Sequence, residues 1–147
     1  MVELFDRDQE AVEIIRQKAS ALNNVLLFGT CSMEAYKFTM RFDGIYCRWC
    51  LGYLEDEDLR VFLGRCKLAL NNSKERYTRK NPPGAFIFVI DNVADPGAKL
   101  QKKKGQRIRD QQSLEKIFHE ADLCIYERSD LTMLNAEYYP VIVWALY

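Results

Sequence analysis

The stretch YKFTMRFDGIYCRWCLGYL, residues 36–54, decides the predicted fold. Apolar and polar residues alternate from Tyr36 to Phe42, and a period of two is typical of a strand with one buried face. Asp43-Gly44 follows, and an Asp-Gly pair supplies the positive φ angles of a two-residue hairpin turn. A second strand-like run covers Ile45–Leu54. We therefore predict a β-hairpin formed by Tyr36–Phe42 and Ile45–Leu54.

Other helices and strands are predicted on both sides of this hairpin. On the N-terminal side, apolar residues at helical spacing predict an opening helix over Asp6–Leu22, and Val25–Thr30 is a short apolar strand. On the C-terminal side, the acidic cluster Glu55–Asp58 favours a helix N-terminus. That helix is predicted to end by Asn81, because Pro82-Pro83 cannot continue it.

The rest of the chain alternates between strands and helices in the same way. We predict a strand at Ala85–Ile90, a short helix at Ser113–Ala121, a strand at Leu123–Glu127, and a last strand or short helix at Val141–Leu146. The order is α-β-β-β-α-β-α-β-β. It predicts a single α+β domain over residues 1–147, with a mixed β-sheet and flanking helices.

Length and composition restrict the class of protein. The chain has 147 residues, of which 48% are hydrophobic, and this is enough for one core. No apolar run approaches the roughly 20 residues that a membrane helix needs, and the sequence opens without a signal-peptide pattern. We therefore expect a soluble intracellular protein, cytoplasmic or nuclear, without a membrane partner. The odd count of five cysteines argues against a disulfide framework.

The cysteines and the single histidine are the first candidates for chemistry. Cys47 and Cys50 have the spacing of a zinc or redox pair. On a strand, however, residues three apart point to opposite faces, so we predict that both are packing residues. His119 is placed near a helix C-terminus, which suits its charge. Nothing in the sequence brings His119 together with Cys31 as a nucleophilic pair.

Cofactor and metal motifs are missing from the sequence. It contains neither GxxxxGK[ST] nor GxGxxG, and we predict neither a cofactor nor a metal. The element order is that of the core of many metal-dependent nucleases. Such enzymes need an Asp followed by Glu-x-Lys on the next strand, and this chain offers only Glu34, Lys37 and Asp43, at the wrong spacing.

A basic segment is the strongest remaining signal. Residues 74–109 carry 10 basic and 3 acidic side chains, whereas residues 110–147 carry 2 basic and 7 acidic ones. Within it, residues 92–110 are predicted to form a basic, mobile loop. Clustered cations without acidic neighbours are typical of a polyanion-binding surface. The candidate nucleic-acid-binding residues are Lys99, Lys102, Lys103, Lys104, Arg107 and Arg109, with Lys74, Arg76, Arg79 and Lys80 at the end of the preceding helix.

These observations predict a small, non-enzymatic interaction domain that binds a nucleic acid or an acidic protein surface. Two alternatives remain open. The first is a metal-dependent nuclease that uses Glu34, Lys37 and Asp43. The second is a self-assembling domain with an aromatic C-terminus, because aromatic residues are enriched at interfaces. The aromatic residues concerned are Tyr138, Tyr139, Trp144 and Tyr147.

Overall fold

The computed structural model describes residues 2–19, 25–71, 84–95, 101–103, 105–131 and 139–147, with the backbone alone at 25–28 and 101–103. The chain divides into two compact units, Met1–Lys37 and Phe38–Tyr147. Each unit has its own sheet, and each is described by itself. The prediction of a single domain over 1–147 stays a prediction.

The first unit is a strand–helix–strand crossover. Strand β1 (Val2–Asp6) and strand β2 (Val25–Thr30) are parallel neighbours, connected by helix α1 (Gln9–Ala19). A helical crossover is the usual way to join two parallel strands. Asp8 caps the helix, because its Oδ1 accepts the amides of Glu10 and Ala11 at 2.9 and 3.3 Å.

The second unit contains a mixed four-stranded sheet. Its strands are β3 (Gly44–Arg48), β4 (Phe86–Asn92), β7 (Ile125–Leu131) and β8 (Val141–Leu146). The order across the sheet is β3-β4-β8-β7, with β3 parallel to β4 and the other pairs antiparallel. A separate hairpin joins β5 (Gln101–Lys103) to β6 (Gln106–Ile108).

The helices supply the core that covers this sheet. Helix α2 (Asp56–Ala69) buries Leu59, Phe62, Leu63 and Cys66, and helix α3 (Gln111–Glu120) buries Leu114, Ile117 and Phe118. Trp144 of β8 is fully buried, and its ring meets Phe118 edge-on at 5.5 Å. One apolar stripe per helix therefore accounts for the packing.

The predicted hairpin is wrong. Phe42 does not face a second strand across a turn. Its N–H donates to the carbonyl of Ala69 at 2.9 Å, and its carbonyl accepts the amide of Asn71 at 2.7 Å. Gly44 begins β3, whose partner is β4. Tertiary pairing with a distant segment therefore overrides the local Asp-Gly turn signal.

Other boundaries also differ from the predictions. The opening helix begins at Gln9 rather than Asp6, because Val2–Asp6 pairs with β2 as a strand. The helix predicted to reach Asn81 ends at Ala69, where Leu70 is already extended. Residues 92–110 were predicted as a loop but contain β5 and β6. Strand β2 and the final strand β8 are confirmed.

A mixed sheet with helices packed on it is confirmed as the architecture, whereas the predicted element order is not. In the described part of the chain, no helix combines the length and the apolar character needed to cross a membrane.

Candidate functional site

Ligands of sheets with parallel strands bind outside the carboxyl ends of those strands, where the following loops converge. The structure has one such place in each unit. In the first unit it is the end of β1 at Asp6. In the second unit it is the end of the parallel pair β3 and β4.

The end of β1 presents a carboxylate. Asp6 is exposed and accepts the amide of Asp8 at 2.9 Å. The segment after β2 folds across this strand end, because the Cys31 amide donates to the Asp6 carbonyl at 2.9 Å. The preceding residue of the strand, Phe5, points to the other face of the sheet, where its ring stacks on the buried ring of Tyr36 with 3.9 Å between centroids. An exposed carboxylate at a strand end suits a ligand with hydroxyl groups.

The end of β3 turns sharply at Trp49. This residue has a φ of 52°, in the left-handed region that a bulky side chain rarely adopts. Its amide still donates to the carbonyl of Ile90 on β4 at 2.8 Å. Trp49 is 42% exposed, and the guanidinium carbon of Arg48 lies 4.1 Å from its ring centroid.

The end of β4 carries a buried acid. Asp91 Oδ2 accepts the amide of Leu51 at 3.2 Å, and its Oδ1 accepts the amide of Asn92 at 2.8 Å. Burial raises the pKa of this carboxyl to about 6, although both amides and the charge of Arg109 act to lower it. A strongly shifted carboxyl at a strand end marks a candidate functional position.

Arg109 is the buried cation of the same place. Its side chain donates to the carbonyls of Leu51 and Leu54, at 3.2 and 2.6 Å, and to Asp56 Oδ1 at 2.8 Å. It thereby satisfies two carbonyls in the short 3₁₀ turn Leu51–Tyr53 and its exit. Arg107 adds an ion pair with Glu55.

The thiols below Trp49 form a cluster rather than pointing apart. Cys47 and Cys50 are hydrogen-bonded to each other, because the left-handed bend at Trp49 turns Cys50 back towards the strand. Hydrogen bonding between the thiols and burial hold the pKa of Cys50 far above its usual range. For Cys47, the bond with Cys50 lowers the pKa, but the bond with Cys66 and burial raise it more.

This geometry corrects one step of the sequence argument. The prediction that Cys47 and Cys50 point to opposite faces is wrong, since the strand ends between them. Their protonated state suits packing rather than nucleophilic attack. Searched over the described residues, no group of His, Cys, Asp or Glu side chains could hold a metal ion.

Among the described residues, the basic residues predicted to bind nucleic acid do not form one exposed surface. Arg109 is 4% exposed and pairs with Asp56, and Arg107 pairs with the exposed Glu55. The backbone of Lys102 and Lys103 lies in the β5–β6 hairpin. The remaining candidates lie outside the described residues: Lys99, Lys104, Lys74, Arg76, Arg79 and Lys80.

The candidates of the two alternatives are placed as follows. Glu34 and Lys37 are exposed in the first unit, and Asp43 in the second unit accepts the Asn71 side-chain amide at 3.0 Å. Trp144 belongs to the core and donates to Glu115 at 3.1 Å. Tyr139 and Tyr147 are half-buried, and Tyr138 lies outside the described residues.

The site residues that sequence reasoning missed are Asp6, Trp49, Asp91 and Asn92. Asp6 was assigned to a helix, and Trp49 was assigned to the middle of a strand. For Asp91 a signal was present, since a lone acid directly after the apolar run Ala85–Ile90 is where a strand-end ligand group is expected.

Curated relatives share part of this chain. Alpha N-terminal protein methyltransferase 1 of Arabidopsis thaliana is 30% identical over 106 residues, which are 72% of this chain and 34% of the relative. N-terminal Xaa-Pro-Lys N-methyltransferase 1 of Mus musculus is 30% identical over 105 residues, 71% of this chain and 42% of the relative. The chain thus spans about a third to two fifths of the length of these relatives.

A solved structure shares the fold. A SAM-dependent methyltransferase from Leishmania major superposes with a TM-score of 0.81 at 21% identity, over 99% of this chain and 54% of that chain. A family model described as AdoMet dependent proline di-methyltransferase matches residues 2–147.

These matches overturn the functional prediction. The prediction of a non-enzymatic domain is wrong, because the matching family consists of enzymes, and neither the nuclease alternative nor a nucleic-acid partner is supported. The prediction assumed that an enzyme must show a catalytic His, a metal site or a glycine-rich loop in this sequence. The transfer of a methyl group between two bound molecules does not depend on any of these signatures. The chain belongs to the family of AdoMet-dependent proline di-methyltransferases.

Proposed function

We propose that this chain provides a methyltransferase site that binds AdoMet and methylates the N-terminal amino group of a protein. The observation that carries the proposal is the family match over residues 2–147. The relatives' names give the substrate class, an N-terminus beginning Xaa-Pro-Lys. AdoMet, when bound, supplies an activated methyl group to an amine.

The first unit fits the adenosine part of this cofactor. The exposed Asp6 carboxylate at the end of β1 is the residue type that accepts hydrogen bonds from ribose hydroxyls in related folds. The glycine-rich loop that approaches the rest of such a ligand is not in this sequence, where no two glycines lie closer than Gly44 and Gly52 or Gly97 and Gly105. The fit therefore concerns the adenosine part.

The second unit offers groups for a peptide. The exposed indole of Trp49 is a flat apolar surface against which a proline ring can pack, and the half-buried amide of Asn92 can both donate and accept. Trp49 follows β3 and Asn92 is the last residue of β4, and these strands are adjacent, since Arg48 of β3 pairs with Ile90 of β4. Cations at this end are already neutralised by acids, as with Arg109 and Asp56.

The substrate amine itself favours this reaction near neutral pH. An α-amino group has a pKa of about 7.7–8.0, against about 10.4 for a lysine side chain. A much larger fraction of the α-amine is therefore neutral and nucleophilic at pH 7.5. Selectivity for an N-terminus over lysine consequently needs less help from a catalytic base.

The test is methyl transfer to a synthetic peptide beginning Ser-Pro-Lys, followed by mass spectrometry after incubation of the 147-residue chain with AdoMet. We expect methylation of the free peptide and none of the same peptide with an acetylated N-terminus. Methylation of both peptides would place the reaction on lysine. The proposal would be contradicted if the chain neither methylated the free peptide nor bound AdoMet.

A variant pair tests the cofactor contact. Asp6→Asn should weaken AdoMet binding about tenfold, since hydrogen bonds to charged groups contribute roughly 1.5–3 kcal/mol. Asp130→Asn changes an exposed acid on β7 and should leave binding unchanged. Equal binding by Asp6→Asn and the unchanged chain would remove Asp6 from the proposed site.

A further inference from the structure

Asp91 has a geometry that its place in the core does not explain. Among the described residues, the buried charged side chains are Asp91 and Arg109. Asp91 makes no ion pair within contact distance in the described set. Its two oxygens instead accept hydrogen bonds from backbone amides, one from Leu51 at 3.2 Å and one from Asn92 at 2.8 Å.

The hydrogen bond from the Leu51 amide to Asp91 connects the segment after β3 to β4. The segment Trp49–Leu51 is attached to β4 at both ends. At one end the Trp49 amide donates to the Ile90 carbonyl at 2.8 Å, and at the other the Leu51 amide donates to Asp91. The first bond joins two backbones and does not titrate. The second depends on a carboxylate.

Opposite charges hold the two sides of the Leu51 residue. Its N–H donates to Asp91, and its carbonyl accepts from Arg109 at 3.2 Å. The titratable and charged groups that face Asp91 are Arg109, which follows β6, and the thiols of Cys47 on β3 and Cys50 before the turn. Both thiols are held protonated, so the opposite charge that acts on Asp91 is that of Arg109, which itself pairs with Asp56.

We propose that Asp91 is a positioning residue: its ionised carboxylate fixes the Leu51 amide and thereby the Trp49 side chain at the end of β3, and its protonation loosens this arrangement. The catalytic half of this inference rests on the proposed methyl transfer, in which Trp49 and Asn92 contact the peptide. The structural half stands on the hydrogen bonds alone.

The direction of the pH effect follows from the carboxyl's surroundings. Burial raises the pKa of Asp91 to about 6, so the carboxylate is the main form at pH 7.5 and the acid is the main form at pH 5. A protonated carboxyl is a weaker acceptor for an amide than a carboxylate. The hydrogen bond from the Leu51 amide to Asp91 should therefore weaken as the pH falls through about 6.

Amide NMR tests the structural half. The Leu51 and Asn92 amide protons should titrate with one common midpoint near 6 in the unchanged chain, and this transition should be missing in Asp91→Asn. Asp130→Asn, an exposed control on β7, should keep it. If the two amides do not titrate, or if they titrate equally in Asp91→Asn, the inference is wrong whether or not the protein methylates peptides.

Peptide kinetics test the catalytic half. From pH 7.5 to 5.5, KM for the peptide should rise several-fold in the unchanged chain, whereas Asp91→Asn should show a raised KM that lacks this transition. The amine of the peptide titrates identically in both, so their ratio isolates Asp91. A constant ratio would overturn the positioning role. An NMR transition without any methyl transfer would contradict the proposed function, but it would support the role of Asp91 in holding the Leu51 amide.

Discussion

Gly52 lies where the 3₁₀ turn Leu51–Tyr53 meets strand β6, and it tests how tightly the site is packed. A Cβ atom at this position would come within 2.8 Å of the Arg107 carbonyl oxygen and 3.4 Å of its nitrogen. Both are backbone atoms, so the strand itself would have to move. We expect Gly52→Ala to lower the free energy of unfolding by about 1–3 kcal/mol, as overpacked substitutions do.

Gly64 is the matched control for Gly52. It lies inside α2, and a Cβ atom there would have no neighbour within 4 Å. Because glycine is a poor helix former, Gly64→Ala should raise the free energy of unfolding by roughly 0.5–1 kcal/mol. Urea unfolding of both variants measures the difference. Equal effects in the two variants would contradict the close contact with β6.

Arg109 tests the buried hydrogen bonds of the second unit. Its guanidinium serves the carbonyls of Leu51 and Leu54 and the carboxylate of Asp56 at once. A lysine ammonium is a single point and cannot reach all three. Arg109→Lys should therefore destabilise the fold by roughly 2 kcal/mol, since at least one buried carbonyl loses its donor.

The control for this substitution is Arg60→Lys. Arg60 pairs with Glu57 on the exposed side of α2, where loss of one ion pair matters little because water solvates both charges. Urea midpoints should separate the two variants clearly. If Arg109→Lys unfolds at the same urea concentration as Arg60→Lys, the guanidinium does not hold the turn.

At the scale of elements, the strength of a local pattern did not decide whether it was predicted correctly. Val25–Thr30 and Val141–Leu146 are apolar runs whose strand character depends on burial alone, and both form strands. Tyr36–Phe42 has the better alternation, but Phe42 pairs with Leu70 and the rest of the run is irregular. The partner of a strand cannot be predicted from the alternation of one run of residues, because the pairing depends on distant segments.

The misread turn leads to a prediction of its own. Gly44 begins β3 with an ordinary φ, and a Cβ atom there would meet nothing nearer than 4.0 Å. Gly44→Val should therefore change the free energy of unfolding by less than about 0.5 kcal/mol. In a two-residue hairpin turn, the same change would be strongly unfavourable.

Gly105 provides the contrast to Gly44. It turns the β5–β6 hairpin with a φ of +79°, a conformation that a β-branched residue resists. Gly105→Val should cost about 1–3 kcal/mol. Thermal unfolding of the two variants compares them directly, and a larger loss in Gly44→Val would restore the hairpin interpretation.

At the scale of the whole molecule, the charge asymmetry of the sequence was its most misleading feature. The basic segment was assigned to a partner, yet Arg107 and Arg109 neutralise acids at the start of α2. The mixed-sheet architecture could be predicted from the presence of both helices and short apolar strands along the chain, although their exact order could not. For Asp91 the position directly after an apolar run was a signal, and Asp6 gave none. Neither acid could be assigned to a site from the sequence alone, because the role of a strand-end acid depends on which strands run parallel.

Burial of Asp91 also has a consequence for the stability of the whole protein. A carboxyl that is more basic in the folded than in the unfolded state binds more protons when folded, so it stabilises the protein most at low pH. With a folded pKa of about 6 and an unfolded value near 3.9, this contribution is complete below pH 4 and disappears as the pH rises through about 6. The difference amounts to roughly 3 kcal/mol, from about 1.4 kcal/mol per unit of pKa.

Asp91→Asn separates this contribution from every other titration. The exposed acids Glu57 and Asp122 have lowered pKa values because of Arg60 and Lys67, so their favourable terms are lost only as the pH falls below the usual carboxyl range. Asparagine has one acceptor oxygen for two amides, which lowers stability by an amount that does not vary with pH. Urea unfolding from pH 4 to 7 should therefore show the unchanged chain losing stability relative to Asp91→Asn. A pH-independent gap between the two would mean that Asp91 ionises in the folded protein as it does in the unfolded chain. Its burial would then carry no cost to folding that needs a functional reason.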